Sequence, residues 1–192
     1  MRTAGLALGE TAAVVGLGML GQLAVQFLRA AGVRVVGVDP DPARAAMARR
    51  GGAAAVAAPG DDALAATLGL TDGHGADAVL VCAASTSNAP LTLAGELCRK
   101  GGVVSVVGAV GMELDRRVFY AKELQVRMCT SYGPGRYDPV YEERGTDSSY
   151  PYVRWTEGRN LEAVLQLVAD GVVDVEPLLT HAFPLEEAEE AY

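Results

Sequence analysis

Cysteine and histidine are scarce in this chain, three and two among 192 residues. Cys82, Cys98 and Cys129 stand alone, without a CxxC pair or a histidine at ligand spacing. That argues against a disulfide framework and against a zinc site. No metal ligand is therefore expected, and a reducing cytoplasm is the compartment that fits. Lysine is nearly missing, two against fourteen arginines, which reads as coding bias. No apolar run reaches the length of a membrane span, and the start of the chain lacks the layout of a signal peptide. Excess positive charge is absent too. A formal net charge of −8 argues against a surface made for nucleic acid or an anionic membrane. Half the residues are hydrophobic and 21% charged, as in a globular chain. The length suits one domain, or one domain with an appendage.

What is present starts at Ala12-Ala13-Val14-Val15, an apolar strand running into Gly16-Leu17-Gly18-Met19-Leu20-Gly21. A second strand, Val33 to Val38, ends on Asp39, eighteen residues after Gly21. Each part has a task in holding a dinucleotide. Gly16 allows the tight turn, Gly18 lets the backbone approach a pyrophosphate, and Gly21 lets the helix pack on the sheet. The helix N-terminus offers free N–H groups and the positive end of its dipole. Asp39 is placed to accept from the adenosine ribose hydroxyls and to repel a 2′-phosphate, which favours NAD over NADP. Leu20, Leu23, Ala24, Phe27, Leu28 and Ala31 mark the apolar face of that helix, and Gly32 stops it. Folds that bind S-adenosylmethionine also use a Gly-rich first turn and an acid after the second strand; the third glycine favours a dinucleotide.

Strands and helices alternate through most of the chain, which predicts an α/β doubly wound parallel sheet of the Rossmann type. Strands are expected at Ala12–Gly16, Arg34–Val38, Ala54–Ala57, Ala78–Cys82, Val103–Val107 and Glu123–Cys129. Helices are expected at Met19–Ala31, Ala43–Arg50 behind an Asp41 cap, Asp61–Leu68 capped by Asp61 or Asp62, and Leu91–Arg99. Residues 130–157 break the pattern as a long segment rich in glycine, proline and aromatics. A helix over Asn160–Asp170 follows, then Val175–Leu179, His181–Phe183 and an acidic helix start at Pro184–Tyr192.

The ordered pieces resemble the nucleotide-binding domain of the medium-chain dehydrogenase/reductase superfamily, the zinc-type alcohol and polyol dehydrogenases. They are Leu8-Gly9-Glu10, the glycine motif, Asp39, Gly73-His74-Gly75-Ala76-Asp77, Gly101-Gly102, Val106-Val107-Gly108 and Thr180 to Ala188. The resemblance covers nearly the whole chain and implies NAD as cofactor. It implies that Met19 and Leu20 give backbone amides to the pyrophosphate and that Arg44 reaches the adenosine ribose. Cys82, Ala83 and Ala84 would line the adenine and nicotinamide side. Val107, Gly108, Ala109, Ser131 and Tyr132 would sit against the nicotinamide ribose and carboxamide.

Members of that superfamily carry a GroES-like catalytic domain with the zinc and the substrate pocket, and nothing here looks like it. The chain is thus expected to be one dinucleotide-binding domain, residues 1–192, cut from a longer polypeptide and inactive alone. The missing domain would be its partner, as would a second copy meeting it through the exposed face or an edge strand. Six of the seven tyrosines lie between residues 120 and 152, with the only tryptophan, Trp155, just after. This resembles an insertion in members fused to a glucose-fructose-oxidoreductase-type domain. A loop so long and aromatic reads as a lid, substrate wall or docking surface, or as aromatics packed on their own sheet.

The remaining candidates carry no catalytic role. His74 falls in a Gly-rich polar turn and is expected in solvent, and His181, alternating with apolar residues near a strand, reads as a structural or a domain-interface residue. Cys98 and Cys129 fit buried apolar roles, and the Cys82 thiol lacks an activating neighbour. Ser85, Thr86 and Ser87 suit helix capping, and Glu142-Glu143 and Glu186-Glu187 suit solvated faces. Two functions follow. One is an NAD-dependent alcohol or polyol oxidoreductase module; the other is a stand-alone NAD-sensing module without turnover.

Overall fold

Thr11–Val15 (β1) is apolar and buried along its whole length because both of its faces are covered. Its alternate residues point to opposite sides. Ala12 and Val14 enter one core with Leu17, Val25, Leu28, Val35 and Leu80, and Ala13 and Val15 enter the other with Val36, Val79, Leu91, Val104 and Phe119. The computed structural model describes residues 1–191; Tyr192, expected in the closing helix, lies outside them.

The expected alternation is formed. In order come Met19–Ala30 (α1), Arg34–Val38 (β2), Pro42–Arg50 (α2), Ala55–Ala57 (β3), Asp61–Leu70 (α3), Ala76–Val81 (β4), Ala89–Leu97 (α4), Cys98–Val106 (β5), Arg116–Ala121 (α5) and Gln125–Met128 (β6). All pairings are parallel, in the order β3-β2-β1-β4-β5-β6. This is the Rossmann arrangement, and the order reverses between β1 and β4. A crevice opens there at the strands' carboxyl ends.

Several local expectations need correction. In α1, the buried residues are Gly21, Gln22, Ala24, Val25, Gln26 and Leu28, while Leu20 is half exposed. The close seating of Gly21 sets the helix rotation, and two glutamines turn inward. The α3 helix is capped by Gly60 at φ 98°, not by Asp61 or Asp62, whose charges instead lie in its first turn. The α4 helix stops at Leu97, where Lys122 Nζ donates to the carbonyls of Gly95 (3.0 Å), Glu96 (2.7 Å) and Cys98 (2.8 Å). Gly101 and Gly102 then fall inside β5 rather than before it.

The tail departs most. No strand forms over Val175–Leu179 or His181–Phe183; 3₁₀ turns occupy Glu176–Leu178 and Leu185–Ala191. Among the described residues, the tail pairs with neither edge strand of the sheet, β3 or β6, and its acidic run stays in solvent. His181 stacks on Phe183 rather than alternating on a strand. Only Val172–Asp174 is held, behind Glu157–Ala169 (α7). Gln26 exchanges two bonds with the Asp174 backbone (2.7 and 2.8 Å), and Arg29 Nη2 donates to Val172 O at 3.0 Å.

Asp77 ties the amino ends of the strands. Its carboxylate accepts from Thr11 N–H at 2.8 Å and from Arg99 Nε at 2.7 Å. Burial pushes this carboxyl up, but the Thr11 N–H and the Arg99 guanidinium outweigh it and hold it below the usual aspartate range. A depressed folded value contributes stability that is complete above the ordinary aspartate pKa of about 3.9 and fades as pH falls below it. Asp77→Ala should therefore cost about 1–3 kcal/mol at neutral pH, chiefly by leaving Thr11 N–H unpaired. In urea unfolding across pH, that deficit should shrink below about pH 4; a constant deficit would assign the effect to packing alone.

Candidate functional site

The glycine turn between β1 and α1 is where the backbone comes closest to its neighbours. Gly16 has φ 92°, and a Cβ there would lie 2.5 Å from Ala83 N at the end of β4. A Cβ on Gly21 would lie 2.0 Å from Gly16 O. The first and third glycines are thus required by the protein itself. Gly18 is different: its Cβ would meet nothing within 4 Å. It precedes α1 without a side-chain cap, so the first-turn N–H groups keep their anion-binding capacity.

Asp39 closes the turn from the second strand. The residue is only 4% exposed. Oδ2 accepts from Leu17 N–H at 2.7 Å and Oδ1 from Asp41 N–H at 2.9 Å. The carboxylate therefore holds the glycine loop as well as facing the crevice, a role the strand-end reading missed. Asp41 in turn caps α2 by accepting from Ala43 N–H at 2.8 Å. Arg44 lies one turn into α2, its guanidinium 3.5 Å from Asp41.

These groups border a cavity of about 1020 Å³ at the switch point. Of the expected site residues, Gly16, Gly18, Asp39, Arg44, Cys82, Ala83 and Ala84 line it. Met19, Leu20 and Gly21 form the adjoining first turn of α1. The others are not brought to this cavity. Val107 and Gly108 N–H both donate to Val81 O at 2.9 Å, and Ala109 O accepts from Ser85 N–H at 2.8 Å, so the three are pinned beside it. Ser131 and Tyr132 follow β6 and are not among the lining residues. Sequence reasoning missed Pro59-Gly60, which wall the cavity from the β3–α3 turn, and Thr92, Leu93 and Glu96 on α4. The Pro-Gly pair marks a turn after the third strand and could have flagged the first two.

Burial pushes the Cys82 thiol up to about 11, which leaves it protonated and unreactive at neutral pH. Cys98 is buried as expected, while Cys129 is only half-buried. Ser87 Oγ accepts from Ala89 N–H at 3.1 Å, but the expected cap does not form: the N-cap of α4 is Asn88, whose side chain pairs with Glu113 and caps no helix N–H. His74 is exposed at the opposite, amino-end edge of the sheet. Among the described residues, no three His, Cys, Asp or Glu side chains gather as a metal-binding group. The residues present do not fit a catalytic zinc.

Residues 130–157 form turns and one short helix, Pro139–Glu142 (α6), up to the start of α7. Their aromatics join neither core cluster of the sheet. Trp155 lies between two guanidinium groups, Arg2 at 3.1 Å and Arg154 at 3.8 Å from its ring centroid. Tyr132 and Tyr141 contact each other with ring centroids 6.1 Å apart. Glu142 is not a free solvated charge: its carboxylate accepts from the Tyr132 hydroxyl and from Arg136.

A family profile described as zinc-binding dehydrogenase matches residues 20–144. The chain is 30% identical over its full length to 52% of D-guloside 3-dehydrogenase from Escherichia coli K12. It is 28% identical over 96% of its length to 47% of L-threonine 3-dehydrogenase from Bacillus subtilis 168. It thus spans about half the length of these curated relatives. Among solved structures, alcohol dehydrogenase TADH from Thermus sp. ATN1 aligns over the whole chain and 49% of its own, with a TM-score of 0.72 and 25% identity.

The three glycines should separate in unfolding experiments on the ligand-free chain. Gly16→Ala and Gly21→Ala should each cost more than about 2 kcal/mol, since a Cβ meets fixed backbone and Gly16 also has a positive φ. Gly18→Ala should stay within about 0.5 kcal/mol. Equal losses at all three positions would mean that Gly18 serves the fold too.

Proposed function

The chain belongs to the zinc-binding dehydrogenase family, and we propose that it supplies the NAD-binding half of an oxidoreductase acting on an alcohol, polyol or sugar-like substrate. The observation that carries this reading is Gly18. Its backbone is bare although no atom of the protein needs the space, and it stands at the start of a helix beside a large cavity. A pyrophosphate uses both features: close approach to backbone and the positive end of a helix dipole. When bound, NAD supplies the hydride acceptor at its nicotinamide ring.

The residues of this chain bind and orient. Asp39 retains acceptor capacity after taking two backbone N–H groups, because each carboxylate oxygen has two lone-pair sites. It accepts from the ribose hydroxyls, and its buried charge repels a 2′-phosphate. Arg44 flanks the same corner, and Cys82–Ala84 with Pro59-Gly60 form apolar walls for the adenosine. Activation of the substrate hydroxyl is assigned to groups outside these residues, because among the described residues no three metal-ligating side chains gather. The free edge of β6 suits self-association with a second copy. The aromatic segment 130–157, similar to an insertion in members fused to a second oxidoreductase domain, is read as part of the face towards other domains.

Calorimetric titration tests the assignment. NAD should bind at least about tenfold more tightly than NADP, or roughly 1.4 kcal/mol. Gly18→Ala should weaken NAD by about tenfold or more while the unfolding curve stays put. Equal affinity for both dinucleotides would remove Asp39 from its role, and an undisturbed Gly18→Ala would remove the pyrophosphate site. In an absorbance assay for NADH with a panel of polyols, the 192 residues alone should show no enzymatic turnover; robust turnover would relocate the catalytic groups into this chain.

A further inference from the structure

Gln22 is 4% exposed, on the first turns of a helix whose buried face otherwise takes Gly21, Ala24, Val25, Leu28 and a second amide, Gln26, which is spent on the Asp174 backbone. A leucine would bury more apolar surface there, and a buried amide is costly unless it is fully bonded. Both of its N–H groups are used. Nε2 donates to Leu17 O at 2.9 Å and to Arg44 O at 2.9 Å. Since both partners are carbonyl acceptors, only the amide nitrogen can face them.

The two bonds complete a ring. Leu17 gives its N–H to Asp39, and Asp39 also holds Asp41 N–H. Asp41 caps the helix carrying Arg44, and the Arg44 carbonyl returns through Gln22 to the Leu17 carbonyl. The residue between the first two glycines is therefore fixed through both its N–H and its C=O. The two ends of the ring are the parts of the crevice that read different chemistry. One is the phosphate-holding turn, and the other is the ribose corner made by Asp39 and Arg44.

We infer that Gln22 is a positioning residue that locks the glycine turn to the Asp39–Arg44 corner, so that selection for an unphosphorylated adenosine ribose depends on a side chain outside the cavity lining. The link to selectivity rests on the cofactor reading above; the lock itself does not. Without Gln22, only Asp39 still joins the turn to α2. The Leu17 and Arg44 carbonyls lose their common donor, and a phosphate bound at the turn sets the position of the Asp39–Arg44 corner less tightly.

Gln22→Met keeps the length and removes both donors, and Gln22→Asn keeps the amide but is one methylene too short to reach both carbonyls. In the ligand-free chain, amide hydrogen exchange at Leu17 and Asp41 should quicken about tenfold in the Met variant and less in the Asn variant, with β4 and β5 unchanged. NAD affinity should fall about tenfold in the Met variant. Asp39→Asn should then cost clearly less affinity in the Met background than in the unmutated one, a coupling that a packing role would not produce. Unchanged exchange at Leu17 and Asp41, or strictly additive losses, would overturn the lock. If the Met variant fails to fold, the Asn variant decides through the same exchange readout. An unmutated chain that binds neither dinucleotide would overturn the cofactor reading instead, while exchange still decides the lock.

Discussion

The crevice depends on one close approach: the turn after β1 lies directly against the end of β4. With a Cβ on Gly16 only 2.5 Å from Ala83 N, no other residue type fits, and the positive φ excludes them again. Gly21 then seats α1 on the Gly16 carbonyl, which sets both the helix position and its rotation. From that seat follow the inward turn of Gln22 and Gln26, the docking of Val172–Asp174, and the aim of the helix N-terminus across the switch point. Parallel order alone would leave a crevice there. The glycine contacts fix how closely its β1 and β4 sides approach.

Polar groups in this fold are placed where strand ends leave N–H groups or carbonyls unpaired. Asp77 answers Thr11 N–H at one edge, Asp39 answers Leu17 N–H at the other, and Lys122 answers three carbonyls at the end of α4. Each is a charged side chain whose removal orphans backbone, which is costlier than losing a surface contact. For Asp39 this has a functional edge. The carboxylate that faces the crevice is also the one that holds its rim, so specificity and local stability are joined in one residue.

The family membership and the fold agree on an oxidoreductase scaffold, and the chain spans about half of the relatives it matches. Its described residues concentrate their buried order around β1, β2 and β4. Beyond β6, order is kept by arginine–aromatic stacking and by Arg159, which reaches the carbonyls of Ser148 and Val153. Such contacts hold a surface segment in shape without a large apolar core.

Much of this was legible in the residues. An apolar run too uniform for a half-solvated strand, three glycines at fixed spacing and an acid after the next strand specify a Rossmann unit, because each is a local steric or electrostatic demand. The expected elements through β6 formed within a few residues, and the cavity gathers seven of the named site residues. What the sequence could not settle depends on partners far along the chain. The buried face of α1 was misjudged because leucine and phenylalanine count as core by type, whereas the Gly21 contact turned the glutamines inward. Whether Val175–Leu179 or His181–Phe183 joins the sheet depends on a long-range pairing, and among the described residues neither pairs with an edge strand. Asp39 could be placed at a strand end from spacing alone; that its oxygens take Leu17 and Asp41 N–H was decided by the tertiary fold, which brings two turns together over one buried carboxylate.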